Sequence, residues 1–490
     1  MADNLKQKTI SGAMWSSIHK FASVILNFVS GVVLARLLTP SDYGVIGMLT
    51  IFLAICNTFI DGGFGYALIQ KKRPTDIDYS TILYWNVYLS IVLYLILYFS
   101  APFIAKFYDL PLLRDVLRVL GINLIINAAR IVQRNQLRKR LEFKKVAIIN
   151  ISSSVFALAV TIYLAWKGWG VWALVAQQLI LSSLCTSLYW ITSKWHPVFQ
   201  FSKESFKELF SFGGFVLLSN LFSTFCNNIQ GLLIGKLYNP STLGFFSKAR
   251  GLENQASTFI SSVLDQVSYP VLSEAQDEKA RMVSIMRRFT RLSAFFTIPA
   301  MFLLILLARP IFLLFYGAKW LTSIPYFQLL CLAGIATCLQ NINYNAVAAL
   351  GKSKVLFKWT FIKKSLGLIL VVGGLWAFGI YGLLVGSVLA SWLVYFINAS
   401  LADKYVGYGF LAQTKDILPI LACSAIAFAI AYLTVIFSID SIYVNGVIRL
   451  ILFLAVYISL SFLIKANAFF ESKDIILLYM KKITKRRIKK

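Results

Sequence analysis

The chain has 490 residues, 58% of them hydrophobic and only 14% charged, where a soluble domain carries roughly 45–50% and about 25%. Lys and Arg outnumber Asp and Glu by 48 to 20, a formal net charge of +28, and mean hydropathy is +0.73. This composition excludes a soluble enzyme, a secreted disulfide scaffold and a disordered chain, and its apolar mass belongs in lipid.

Apolar runs long enough to cross a bilayer follow one another at 12–38, 43–70, 82–105, 113–133, 146–166, 171–192 and 209–235. They continue at 246–271, 292–316, 321–350, 355–377, 380–402, 417–437 and 446–464. Over such lengths only a helix satisfies its own backbone in lipid, and barrel strands are about half as long. The sequence therefore predicts an all-α polytopic membrane protein with about 14 transmembrane helices. The first run is too long for a cleaved signal, and no small-residue cleavage site follows it.

The gaps between runs alternate in charge. One set holds Lys71 and Lys72, then Arg134, Arg138, Lys139 and Arg140, then Lys194, Lys203 and Lys207, then Arg281, Arg287 and Arg288. The opposite set holds only Lys106, Arg114, Lys167, Lys236 and Lys319. Basic residues accumulate on cytoplasmic loops, so both termini are expected in the cytoplasm, and an even number of spans agrees in putting them on one side. No segment is long enough for a nucleic-acid module, so the basic excess reads as topology and no nucleic-acid partner is expected. Residues 466–490 form a basic tail in which Phe469, Phe470, Ile475 and Ile476 precede Lys481, Lys482 and Arg486. It reads either as a helix on the anionic inner leaflet or as a frayed tail. Six cysteines lie within apolar runs without metal-ligand spacing, and no metal or cofactor is expected.

The sequence repeats itself. Asn27, Gly31, Leu37, Pro40, Ser41 and Gly44 return as Asn227, Gly231, Leu237, Pro240, Ser241 and Gly244. Pro102, Phe107 and Tyr108 return as Pro310, Phe315 and Tyr316, and the stretch from Trp169 to Val175 matches Phe378 to Leu384. Collinear matches at nearly one offset predict two pseudo-symmetric six-helix lobes, 1–200 and 201–402, in a parallel repeat. Transporters built this way place substrate between their repeats. Two appended helices, 403–465, lie outside it.

An ionisable group at membrane depth usually faces protein or a wet cavity. Such groups collect on the first span (Lys20, Arg36), the second (Asp61), the fourth (Arg118, Arg130) and the eighth (Lys248, Arg250, Glu253, Asp265). The seventh offers amides instead, Asn220, Asn227, Asn228 and Gln230. These predict a net cationic cleft suited to a phosphate-bearing head group, with Lys20, Arg36, Arg130, Lys248 and Arg250 as substrate-binding candidates. Asp61, Glu253 and Asp265 are candidates for ion coupling. A second reading stays open for Arg36, Lys236, Arg118, Arg130 and Lys248, whose side chains could snorkel to the interface, and for Lys20, which a short polar N-terminal turn would place at the inner surface. Lys363 and Lys364 read as inner-surface anchors. Catalysis is not expected: the only histidines are His19 and His196, and the Asp61-Gly62-Gly63-Phe64-Gly65 cluster lacks the Lys-Ser/Thr of a phosphate loop.

The run from Ala35 to Gly44 (ARLLTPSDYG), the Asp61–Gly65 cluster and Ala67-Leu68-Ile69-Gln70 resemble bacterial polysaccharide-repeat-unit flippases. So do Leu137-Arg138-Lys139-Arg140-Leu141-Glu142-Phe143-Lys144, Leu243-Gly244-Phe245-Phe246-Ser247-Lys248-Ala249 and Tyr269-Pro270-Val271-Leu272-Ser273. The resemblance covers nearly the whole chain. It implies the multidrug/oligosaccharidyl-lipid/polysaccharide exporter superfamily, with a MATE-like pair of lobes in the bacterial inner membrane. It further implies transport of an undecaprenyl-diphosphate-linked glycan by alternating access for surface polysaccharide, with membrane lipid and polysaccharide polymerase machinery as partners. By the same analogy the appended helices form a groove for a lipid tail. A multidrug antiporter of the same fold would want acidic residues in the cleft, and a lipid II flippase would differ only in cargo.

Overall fold

A computed structural model describes residues 2–65, 68, 71, 74–434 and 441–464. The regular elements among these are helical, with no strand. Ten helices are long and apolar enough to cross a membrane, and the chain is a multi-pass membrane protein. The predicted tail, 466–490, lies outside the described residues.

The helices are α1 (Ala2–Leu37), α2 (Pro40–Asp61), α3 (Asp76–Phe107), α4 (Leu112–Ala128), α5 (Ile131–Lys139), α6 (Phe143–Trp166), α7 (Val171–Ser193) and α8 (Lys203–Leu237). There follow α9 (Pro240–Glu274), α10 (Lys279–Leu306), a broken segment from Ala308 to Trp320, α11 (Ser323–Ala349), α12 (Ser353–Val406), α13 (Phe410–Leu433) and α14 (Ile442–Leu463). Each predicted span overlaps one of these helices, but the second runs past Asp61, the fourth crosses the break after Ala128 and the ninth runs past Leu306. The eleventh and twelfth are the two limbs of α12, which kinks at Phe378 and Gly379; the φ of +60° at Gly379 is a conformation only glycine adopts freely. α4, α8 and α9 are absent from the ten apolar helices, and they carry the arginines and amides considered below.

By packing, the chain divides into two compact units, Met1–Ser247 and Lys248–Lys490. The boundary falls inside α9, downstream of the repeat boundary read from sequence, because α8 packs along α2 within the first unit.

In the first unit, local chemistry sets the helix starts. Thr39 and Asp42 form a capping box at α2, with Pro40 in the first turn. Thr75 and Asp78 do the same for α3. Asn239 occupies the position of Thr39 in the repeat and accepts from the Thr242 amide at 2.8 Å, capping α9. The first turns of α2 and α9 touch reciprocally, Gly44 against Pro240 and Gly244 against Pro40. A core of Phe64, Leu68, Ile82, Leu83, Val132 and Leu209 holds the start of α8 to α3, with Phe206 and Trp85 rings 4.6 Å apart.

In the second unit, α13 and α14 pack on α10 around Leu306, Ala427, Phe453 and Tyr457, and the Tyr457 hydroxyl donates to the Phe295 carbonyl at 2.9 Å. The start of α13 is fixed by polar contacts. Gln413 exchanges two hydrogen bonds with Asn343 and accepts one from the Tyr395 hydroxyl. Asp416 receives Arg287, Arg291 and the Tyr408 hydroxyl.

Candidate substrate pocket

The first unit contains a pocket of about 420 Å³ between α2, the α4–α5 break and α8, within the size range of small-molecule sites. α2 contributes Asn57, Thr58 and Asp61; the break contributes Asn127, Arg130 and Arg134; α8 contributes Asn220, Ser223 and Thr224. The Thr58 and Thr224 hydroxyls bond at 3.1 Å and fix α8 to α2 beside the pocket. Asn57 donates to the Leu53 carbonyl of its own helix.

The break positions the arginines. The helix stops at Ala128, Arg130 flanks the start of α5, and the chain resumes as a short polar helix. Arg130 and Arg134 are four apart and line the same pocket, an arrangement of like charges that repels without an anion between them. Asp61 is the one carboxylate in the lining, so the pocket carries net positive charge. Among the described residues the buried Nε of Arg134 and Oδ1 of Asn127 have no hydrogen-bond partner.

Of the residues singled out by sequence, Arg130 and Asp61 meet in this pocket. Lys20 is half-buried on α1 and does not line it. Arg36 is exposed in the last turn of α1, where a cation opposes the negative end of the helix dipole. Lys248 is buried in the second unit, its ammonium 4.5 Å from the Tyr316 ring centre and 5.6 Å from that of Trp320. Arg250 and Glu253 lie one turn apart on α9. Glu253 is buried and accepts from the Ser257 hydroxyl at 2.5 Å, and Gly334 leaves room for it, since a Cβ there would stand 2.5 Å from Oε1. The side chain of Asp265 lies outside the described residues. Lys363 does not anchor at the inner surface as sequence suggested: it is buried and donates to Asn398 at 2.7 Å across the limbs of α12.

Sequence reading placed Arg134 in a loop and overlooked Asn57 and Asn127. The available signal was the spacing of Arg130 and Arg134, which on a continuing helix puts both on one face.

A family model described as "Polysaccharide biosynthesis protein" matches residues 33–325. The chain belongs to that family. It is 26% identical to the teichuronic acid biosynthesis protein TuaB of Bacillus subtilis, over 89% of this chain and 92% of the relative. It is 25% identical to the succinoglycan biosynthesis transport protein ExoT of Rhizobium meliloti, over 86% and 83%. Among solved structures, the lipid II flippase MurJ in an inward closed conformation superposes with a TM-score of 0.76, covering 92% of this chain and 98% of that one at 17% identity. At that identity the likeness concerns the fold.

Proposed function

We propose that the protein is a flippase that moves an undecaprenyl-diphosphate-linked oligosaccharide across the bacterial inner membrane by alternating access, for surface polysaccharide. The observation that carries this reading is the pair Arg130 and Arg134 in one pocket with amides and hydroxyls. Two guanidiniums give a diphosphate charge-assisted, bidentate hydrogen bonds. Asn57, Asn127, Asn220 and Thr224 offer the donors and acceptors that sugar hydroxyls need, while the prenyl chain stays in lipid. TuaB and ExoT, named for glycan polymers, support a polysaccharide cargo. A cationic pocket disfavours an organic-cation drug.

In this reading the fourteen helical runs all cross the membrane, both termini are cytoplasmic, and 1–200 and 201–402 are the lobes that rock. The hairpin within 403–465 guides the lipid tail. Lys20, Arg36, Lys248 and Arg250 assist passage of the diphosphate, and Asp61, Glu253 and Asp265 serve ion coupling. Polymerase machinery receives the exported unit.

The test is in cells: with Arg130→Ala and Arg134→Ala together, lipid-linked glycan accumulates on the cytoplasmic leaflet while the protein is present at wild-type level. Normal export by that variant would overturn the reading.

A further inference from the structure

The segment that joins α7 to α8, residues 194–202, is not a free loop. Four hydrogen bonds strap it to the first turns of α3. The Trp195 indole donates to Asp76 at 2.9 Å, the Val198 amide to the Ser80 hydroxyl at 2.9 Å, the Tyr84 hydroxyl to the Val198 carbonyl at 3.2 Å, and the Ser202 amide to the Thr81 hydroxyl at 3.1 Å. From Asp76 to Tyr84 a helix rises about 12 Å, so the strap runs back along a membrane-spanning helix rather than out into water.

Its outward side is apolar. Phe199 is 96% exposed, with a stacked contact to Tyr84 at 6.4 Å, and Val198 and Phe201 are exposed beside it. Exposed lysines flank this patch at Lys194, Lys203 and Lys207. Lys203 opens α8 beside the exposed Glu204.

We propose that the 194–202 strap is an interfacial anchor for anionic lipid: Phe199 and Phe201 enter the headgroup–acyl boundary, and Lys194, Lys203 and Lys207 hold lipid phosphates. An apolar patch rimmed by cations fits that surface and no uncharged one. Assigning it to the cytoplasmic leaflet rests on the topology proposed above; the lipid contact itself does not. The strap then fixes the start of α8, which lines the pocket, to both α3 and the bilayer surface.

The experiment uses the full chain carrying Cys226→Ser, since the other five cysteines are buried, with a nitroxide on Phe199→Cys. The protein is reconstituted in symmetric vesicles of phosphatidylethanolamine and phosphatidylglycerol, so orientation does not matter. Collisions with oxygen are expected to exceed those with a water-soluble nickel chelate severalfold, whereas a label at Asp277→Cys, in an exposed turn, shows the reverse. Replacing Lys194, Lys203 and Lys207 by Gln, or the phosphatidylglycerol by phosphatidylcholine, moves the Phe199 label toward water. A label at Phe199 as nickel-accessible as that at Asp277 would overturn the anchor. A depth indifferent to the lysines and to lipid charge would overturn its anionic ligand. Export activity enters neither readout, so failure here is separate from failure of the flippase reading.

Discussion

A Cβ placed on Gly44 would stand 1.8 Å from the carbonyl oxygen of Pro240, and one on Gly244 would stand 1.8 Å from that of Pro40. Residues 200 positions apart thus exchange the same contact, as a twofold-related pair does. α2 and α9 begin at this seam, and both positions are glycine because no other residue allows the backbones so close.

The clash is with backbone, so no rotamer change relieves it. Gly44→Ala and Gly244→Ala should each cost about 1–3 kcal/mol by overpacking. The double variant should lose less than the sum, because the first methyl group already parts the seam. Thermal unfolding in detergent measures this; wild-type stability in either single variant would contradict the close contact.

Gln413 is saturated: it bonds Asn343 twice, the Tyr395 hydroxyl and the Tyr408 carbonyl. Gln413→Leu strands these buried partners, at about 1–3 kcal/mol for each group left unsatisfied. The expected outcome is a lowered melting temperature and earlier proteolytic release of α13 and α14. A variant as stable as wild type would show that the network contributes nothing net.

Lys363 and Asn398 call for a cycle of variants. Asn398→Leu leaves a buried ammonium without its amide acceptor, and an unsatisfied buried group costs about 1–3 kcal/mol, more when it is charged. Lys363→Met with Asn398→Leu removes both polar groups and should recover most of that loss. If the double variant is no more stable than Asn398→Leu, the pairing is not what the site depends on.

How much of this was legible beforehand varies with the range of the interaction. Hydropathy marked the ten apolar helices, because that signal is local. The break after Ala128 was not legible: apolar residues continue to Val132, so the span seemed to run on and Arg134 to fall in a loop. The rings that Lys248 meets, Tyr316 and Trp320, arrive from a distant segment. Lys363 resembled a surface anchor for the same reason, with Asn398 supplied by the returning limb of α12. In each case the fate of a charge is decided by a partner that periodicity cannot supply.

The segment after α2 supplies a pH dependence. Lys71 lies outside the membrane spans. Burial works against its ammonium, and the carboxylates of Glu208 and Asp78, at 2.9 and 3.1 Å, outweigh that and raise its pKa. A group whose folded pKa is raised stabilises fully below its unfolded pKa, about 10.4 for lysine, and the contribution fades as pH climbs through the folded value. The stability gap between wild type and Lys71→Gln should therefore hold steady to about pH 10 and narrow above it. A gap that already narrows between pH 6 and 8 would assign the effect to another group.

The pocket itself is tested most directly by reconstituted transport of an undecaprenyl-diphosphate-linked oligosaccharide between vesicle leaflets, scored by protection of the glycan from an external sugar-modifying enzyme. Wild type should exchange the head group between leaflets, and Arg130→Ala with Arg134→Ala should fall to the rate of protein-free vesicles while melting at the wild-type temperature. Exchange at the wild-type rate by that folded variant would contradict the assignment of the diphosphate to these two arginines.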